Sequence, residues 1–179
     1  MNLQIISGKY GGRVISAPDG KLTHPMGSRI RGSLFNIINN ELKGAEILDV
    51  FAGTGSLGLE AISRGAKSAI FIDRDRVACK ILTENINMLG VDEITTVVQI
   101  GARTWIDKNL DKSYDVIFVD PPYNDLQLST VSGLTCLLKP NGLMVLSYPG
   151  RSEMPTVHGV VVVDNRSYGT AALTFYRKK

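Results

Sequence analysis

Apolar residues gather into short runs at regular intervals along this chain, and the runs at 46–51, 68–73, 95–100, 114–119 and 143–148 read as strands. Between them apolar positions recur at helical spacing, predicting helices over 56–64, 75–89, 102–110 and 125–138. Strand runs such as Val116-Ile117-Phe118-Val119 are apolar throughout, which suits strands covered on both faces. Strand alternating with helix implies an α/β chain with a doubly wound, mostly parallel sheet. The rhythm breaks near the end, where 159–163 and 171–176 are two strands separated only by a polar turn. An antiparallel hairpin therefore completes a sheet of seven strands.

A different pattern precedes this domain. Two β-prone runs, 3–7 and 13–17, flank Gly8-Lys9-Tyr10-Gly11-Gly12, predicting a small hairpin with a glycine-rich tip. Residues 18–27 read as a loop. A helix is expected from Ser28, as its cap, through Lys43, burying Ile30, Leu34, Phe35, Ile37 and Ile38, with Gly44 ending it. The chain thus divides into a hairpin-and-helix extension, 1–44, and an α/β domain, 45–179.

Composition adds three constraints. With 179 residues, 44% apolar and 21% charged, the chain can bury a substantial core and matches an ordinary globular protein. The first ten residues lack a signal peptide's pattern, and no apolar run approaches the roughly 20 residues that span a bilayer. A cytoplasmic protein without membrane contact is expected. Cys79 and Cys136 lie far apart and are read as reduced and buried, and His24 and His158 are too isolated to hold a metal. Charge is uneven: residues 1–44 carry six cations against two anions, leaving the remainder at −1 within a total of +3. A basic extension on a near-neutral body suits a polyanion such as nucleic acid.

Two stretches carry chemistry. Gly53-Thr54-Gly55-Ser56-Leu57-Gly58 follows a strand and opens a helix, and Asp73 closes the next strand. Glycines let the backbone approach a ligand, and an acid at Asp73 accepts from ribose hydroxyls. A dinucleotide fits that pattern too. Asp49, on the strand before the loop, favours a ligand bearing cations and no phosphate, namely S-adenosylmethionine. Asp75 is expected to cap the helix that follows. The second stretch is Asp120-Pro121-Pro122-Tyr123, at the carboxyl end of the fourth strand and hence beside the glycine loop. An amino group on a base is a weak nucleophile because its lone pair is delocalised into the ring. The Asp120 carboxylate and the Pro121 carbonyl can accept its two hydrogens and localise that pair, and Tyr123 can stack on the base. This points to methyl transfer onto an exocyclic nitrogen. Attack at pyrimidine C5 needs a cysteine, and neither cysteine follows a strand; no Ser-His-Asp set can be argued.

On these motifs the chain resembles, almost end to end, the RsmD-like family of 16S ribosomal RNA guanine-N2 methyltransferases. Residues 5–13 are similar to the family's opening hairpin, 29–38 to its first helix, 51–66 to its cofactor loop, and Tyr168-Gly169-Thr170 with 173–176 to its closing strand. The resemblance implies a class I methyltransferase fold and S-adenosylmethionine as donor. The implied substrate is one guanine of small-subunit rRNA, within an assembled or partly assembled subunit, and a monomer suffices. Asp49, Phe51, Gly53, Gly55, Asp73, Arg74 and Ala102 would hold the cofactor. Asp120, Pro121 and Tyr123 would act on the base, and Lys9, Arg13, Arg29 and Arg31 would bind phosphates. Three positions depart from the family: His24-Pro25-Met26 replaces Arg-Pro-Thr, Gly32 replaces a glutamate, and Gly101 stands where an adenine-binding acid is expected. Competing readings are an adenine-N6 methyltransferase, a non-catalytic ribosome-assembly factor and a nicotinamide-dependent dehydrogenase.

Overall fold

A computed structural model describes residues 2–18 and 26–179, so His24, Pro25 and most of the predicted 18–27 loop lie outside the described residues. The extension comprises β1 (Asn2–Gln4) and β2 (Val14–Ser16), which form a two-stranded antiparallel sheet, and α1 (Ser28–Ile37). The domain follows as β3 (Glu46–Val50), α2 (Ser56–Ser63), β4 (Ser68–Asp73), α3 (Arg76–Leu89), β5 (Thr95–Gln99), α4 (Ala102–Lys108) and β6 (Tyr114–Val119). It ends with α5 (Leu128–Leu134), β7 (Leu138–Pro149), β8 (Val160–Ser167) and β9 (Ala171–Lys178).

The seven strands run in the order β5-β4-β3-β6-β7-β9-β8, parallel except for the β7-β9-β8 hairpin edge. From β3 the chain first winds outward through β4 and β5, then returns to place β6 on the other side of β3. That reversal opens a crevice beyond the carboxyl ends of β3 and β6. The fold is therefore the doubly wound, seven-stranded sheet that the strand–helix alternation predicts.

Each parallel strand feeds two cores. Ile47, Phe71, Phe118 and Val145 face one side, where Leu34, Phe35, Leu59 and Leu82 cover them. Leu48, Val50, Ile72, Ile117 and Leu146 face the other, under Trp105, Ile106, Val131 and Leu134. Residues burying both faces read as unbroken apolar runs, which is why these strands are legible without alternation. The extension shares the first core through Ile5 and Ile15. No helix among the described residues is long and apolar enough to cross a membrane.

The elements differ from expectation at several places, among them α5, which starts at Leu128 rather than 125, and Ile37, which is exposed. The first helix stops at Ile37 and tightens into a 3₁₀ turn over Asn39–Glu41, where two asparagines follow β-branched residues and lower helix propensity. Ser28 is not its cap: Gly27 precedes the helix and no side chain caps it. β7 begins five residues before the apolar run, because Leu138 pairs with Tyr114 ahead of a register shift and Asn141 accepts a φ of 61°. Cys136 is exposed, whereas Cys79 is buried.

Candidate functional site

Strand ends and one loop build the site. After β3 the chain turns through Phe51 (φ 61°), Gly53 (φ 55°) and Gly55 (φ 80°) into α2. A Cβ on Gly55 would come within 2.3 Å of Leu82, and one on Gly58 within 2.3 Å of the Phe71 ring. Those two glycines let α2 lie against the sheet, while Gly53 serves the turn. The loop is held by acids rather than by its own bonds alone. Gly53 N donates to Asp73 Oδ2 at 2.8 Å, and Gly58 N donates to Asp49 Oδ2 at 2.8 Å. Asp73 Oδ1 also accepts from Asp75 N at 2.8 Å. A carboxylate offers about four acceptor positions, so Asp73 keeps others for a ligand. Asp75 caps α3, accepting from Ala78 N at 2.8 Å.

Asp120 follows β6 directly, and Val119 pairs with Leu146, so Asp120 and Ser147 lie side by side on neighbouring strands. The Ser147 hydroxyl lies 2.7 Å from the Tyr123 hydroxyl and beside the Asp120 carboxyl, where it favours the charged form. Burial pushes the Asp120 carboxyl up to about 6, against the opposing pull of Ser147. Burial likewise holds the Asp49 carboxyl well above its usual range; the Gly58 bond opposes this, while Asp120 and Asp73 add repulsion. Tyr123 keeps 41% of its surface exposed although its hydroxyl is tied inward.

These groups line one cavity of about 750 Å³, within the usual size of a ligand site. Asp49, Phe51, Gly53, Thr54, Asp73, Arg74 and Asp75 line one part, and Asp120, Pro121, Pro122 and Tyr123 another. Four carboxylates and one guanidinium thus face it among the described residues. Gly55 and Ala102 are not in its wall: Gly55 underlies the loop, and Ala102 is buried at the start of α4. A side chain at Gly101 would meet open space. No group of His, Cys, Asp and Glu among the described residues is placed to hold a metal.

The extension closes the cavity, which the sequence does not announce. Ala17, Met26, Gly27 and Ile30 supply a wall, and Thr170 and Ala171 from the β8–β9 hairpin supply another. The two meet where Ser33 Oγ lies 2.6 Å from the Tyr168 hydroxyl. Lys9 sits at the opposite end of the hairpin. Lys9 N donates to Ser63 O at the end of α2, about 10 Å along the helix from the glycine loop. Lys9, Arg13 and Arg29 are exposed, and Arg29 adjoins the lining residue Ile30.

Arg31 is not a surface cation. It is 1% exposed, and its Nη2 donates to Gln4 O at 2.6 Å. Burial lowers its affinity for a proton, and the charge of Glu60 opposes that shift. Its position on the inner face of α1 turns it into the core, so it anchors the extension rather than reaching phosphate. Ser147 and Glu60 were also missed. Each is a polar residue inside an apolar stretch, Leu143–Tyr148 and Leu57–Ile62, and that interruption was their signal.

A profile described as "Conserved hypothetical protein 95" matches residues 3–177. The chain belongs to the RsmD-like family. It is similar to "Ribosomal RNA small subunit methyltransferase D" of Haemophilus influenzae, with 28% identity over 98% of this chain and 93% of that one. The protein of that name from Buchnera aphidicola (strain Bp) is 38% identical over 79% of this chain and 71% of its own. A solved structure from Escherichia coli superposes with a TM-score of 0.88 at 30% identity, covering 100% of this chain and 99% of that one. RsmD-like membership thus rests on agreement over the whole chain, extension included.

Proposed function

We propose that this RsmD-like protein transfers a methyl group from S-adenosylmethionine to the exocyclic N2 amine of a guanine in small-subunit ribosomal RNA. The observation that carries the reading is the convergence of the glycine loop, Asp73 and Asp120-Pro121-Pro122-Tyr123 on one cavity rich in carboxylates. An acidic wall suits a ligand with an ammonium and a sulfonium and repels a pyrophosphate, which argues against a nicotinamide cofactor. Names of the relatives supply the substrate class, ribosomal RNA of the small subunit.

Asp73, with Asp49, Phe51, Gly53 and Arg74 around it, holds the cofactor in this reading. S-adenosylmethionine, when bound, supplies an electrophilic methyl carbon on sulfur. The Asp120 carboxylate and the Pro121 carbonyl accept the two N2 hydrogens and turn the nitrogen lone pair toward that carbon. In that transfer the C–S bonding pair would leave with sulfur as the N–C bond forms, and the Asp120 carboxylate would receive the surplus N2 proton and pass it to water. Catalysis rests on positioning and electrostatics rather than on a covalent intermediate. Tyr123 stacks on a base that has left its helix, and Lys9, Arg13 and Arg29 hold phosphates. With about 44 residues outside the α/β domain, selection of the guanine rests on the shape of folded RNA, as in an assembled or partly assembled subunit.

Mass spectrometry of nucleosides after incubation with labelled S-adenosylmethionine and unmodified small-subunit rRNA, free and protein-bound, tests this directly. Labelled N2-methylguanosine is expected. N6-methyladenosine would replace guanine by adenine as the target, and no label on either substrate would overturn the enzymatic reading.

Two further results are expected. Asp73→Ala removes a charged acceptor worth roughly 1.5–3 kcal/mol, so cofactor Kd should weaken about 10- to 100-fold by calorimetry. Affinity for rRNA should change little; equal loss of both would place Asp73 outside the cofactor site. The single-turnover rate should rise with pH through about 6, because only the Asp120 carboxylate accepts two N–H groups in concert with Pro121. Stability moves the other way. A carboxyl whose folded value is raised from about 4 to about 6 holds its proton better when folded, so its contribution is full below pH 4 and lost by pH 6. A flat rate profile between pH 5 and 7 would remove Asp120 from the reacting amine.

A further inference from the structure

We infer that Ser147 is a positioning residue for the methyl transfer, donating its one hydroxyl hydrogen to Asp120 and accepting from the Tyr123 hydroxyl. The inference rests on the reaction proposed above and extends it to a residue outside the Asp-Pro-Pro-Tyr stretch. Ser147 is 2% exposed and sits near the carboxyl end of β7, between Leu146 and Tyr148, where every other residue of 143–148 is apolar or aromatic. A buried hydroxyl there needs partners, and the β6–β7 register puts Asp120 beside it. Its oxygen is 2.7 Å from the Tyr123 hydroxyl.

Proton counting fixes the direction of the chain. A serine hydroxyl has one hydrogen and two lone pairs. A carboxylate only accepts, so the Ser147 hydrogen goes to Asp120. The Tyr123 hydroxyl must then donate to Ser147. The resulting relay, Tyr123 to Ser147 to Asp120, does two things at once. It fixes the hydroxyl edge of an aromatic residue that stays 41% exposed, and it orients the carboxylate that must meet the base's amine. Ring and acceptor are thereby set relative to each other before a base arrives, which is how positioning lowers a barrier.

Other titratable or charged groups line the same cavity as Asp120. Asp49 from β3, Asp73, Arg74 and Asp75 from the β4–α3 junction, and Tyr123 share its cavity. The described lining residues from the extension and from the β8–β9 hairpin carry no titratable group: Ala17, Pro18, Met26, Gly27 and Ile30 on one side, Thr170 and Ala171 on the other. Among the variants below only Tyr123→Phe alters one of those groups, so the influence of the rest stays constant across the comparison.

The test compares wild type, Ser147→Ala, Ser147→Thr and Tyr123→Phe, each checked for an unchanged melting profile. Ser147→Ala should lower kcat about 10-fold or more with cofactor Kd unchanged. Loss of one hydrogen bond should also move the acid limb of the rate profile upward by about half to one pH unit. Ser147→Thr keeps the hydroxyl and should restore both. Tyr123→Phe should lower kcat and raise KM for RNA while leaving the acid limb near its wild-type position, since Ser147 still donates to Asp120. The Asp120 carboxyl is also titrated by carbon-detected NMR without RNA. That readout separates the two ideas: a wild type that fails to methylate rRNA sinks the reaction, whereas an Asp120 titration unmoved by Ser147→Ala sinks the relay alone. A Ser147→Ala enzyme with wild-type kcat also overturns it. Should Ser147→Ala fold poorly, Ser147→Thr resembling wild type, with Tyr123→Phe impaired only in kcat and KM, supports the relay; Tyr123→Phe indistinguishable from wild type overturns it.

Discussion

Asp120→Ala should lower kcat for rRNA methylation by about 10²- to 10³-fold, the usual loss when a pre-positioned electrostatic partner is removed from a reacting group. Cofactor Kd should stay within about twofold of wild type, because the cofactor contacts are made by a different part of the cavity and single hydrogen bonds there carry the affinity. The residue lies at a strand end, not within the core, so the fold should survive; calorimetric melting checks this. Two causes act together in the loss. One acceptor for the amine disappears, and in the inferred relay Ser147 loses the carboxylate it donates to, which loosens its partner Tyr123. Asp120→Asn should be nearly as slow: its amide keeps one acceptor oxygen but brings two hydrogens toward an amine that itself donates. Activity of Asp120→Ala within about threefold of wild type would put the chemistry elsewhere in the cavity, since positioned proton acceptors contribute about 10²-fold or more.

Glu60→Ala should be the most destabilising single change, by roughly 3–5 kcal/mol, which for a chain of this size lowers Tm by roughly 10 °C. Glu60 is fully buried in α2 and accepts three hydrogen bonds. Ile6 N and Ser7 N donate to its two oxygens at 2.7 and 3.0 Å, tying the hairpin to the domain. Arg64 Nε donates at 2.8 Å from a side chain only 8% exposed. Arg31, buried against the same region, has its charge supported by Glu60, and its Nε and Nη1 have no hydrogen-bond partner among the described residues. Removing the carboxylate would strand two amides and two buried cations together. The cavity wall should suffer with it, because Ala17, Met26 and Ile30 belong to the segment that Glu60 anchors. Cofactor affinity is therefore expected to fall in parallel with Tm. A loss below about 1 kcal/mol would mean that the extension is held by its apolar contacts alone, since surface-like pairs contribute no more than that.

Much of this protein was legible without coordinates where the signal was local. The apolar runs at β3, β4 and β6 marked strands because both faces are buried, and their order gave a doubly wound sheet. The glycine loop and Asp75 announced their roles through backbone requirements that act over a few residues: positive φ at Gly53 and Gly55, and a helix cap at Asp75. Apolar spacing continues past Ile37 and predicts a longer first helix than forms, because the competing cost at Asn39-Asn40 is only a fraction of a kcal/mol per residue. The site was legible in part. Its two motifs could be placed at one crevice by a topological rule, without knowing which side chains would touch.

What the sequence determined by itself were the features set by neighbours along the chain: element type, the turn chemistry of the glycine loop, and the rigid Asp120-Pro121-Pro122-Tyr123 corner. What only the tertiary structure decided were pairings between residues far apart in the chain. Arg31 and Arg29 are two residues apart and equally basic, yet one is buried and the other faces solvent, because a helix turns about 200° between them. Ser147 meets Asp120 and Tyr123 only through the β6–β7 register, and Glu60 meets Ile6 and Ser7 only once the hairpin docks on α2. Such contacts depend on packing, which no local propensity encodes, and they place the walls and supports around a chemistry that the motifs already named.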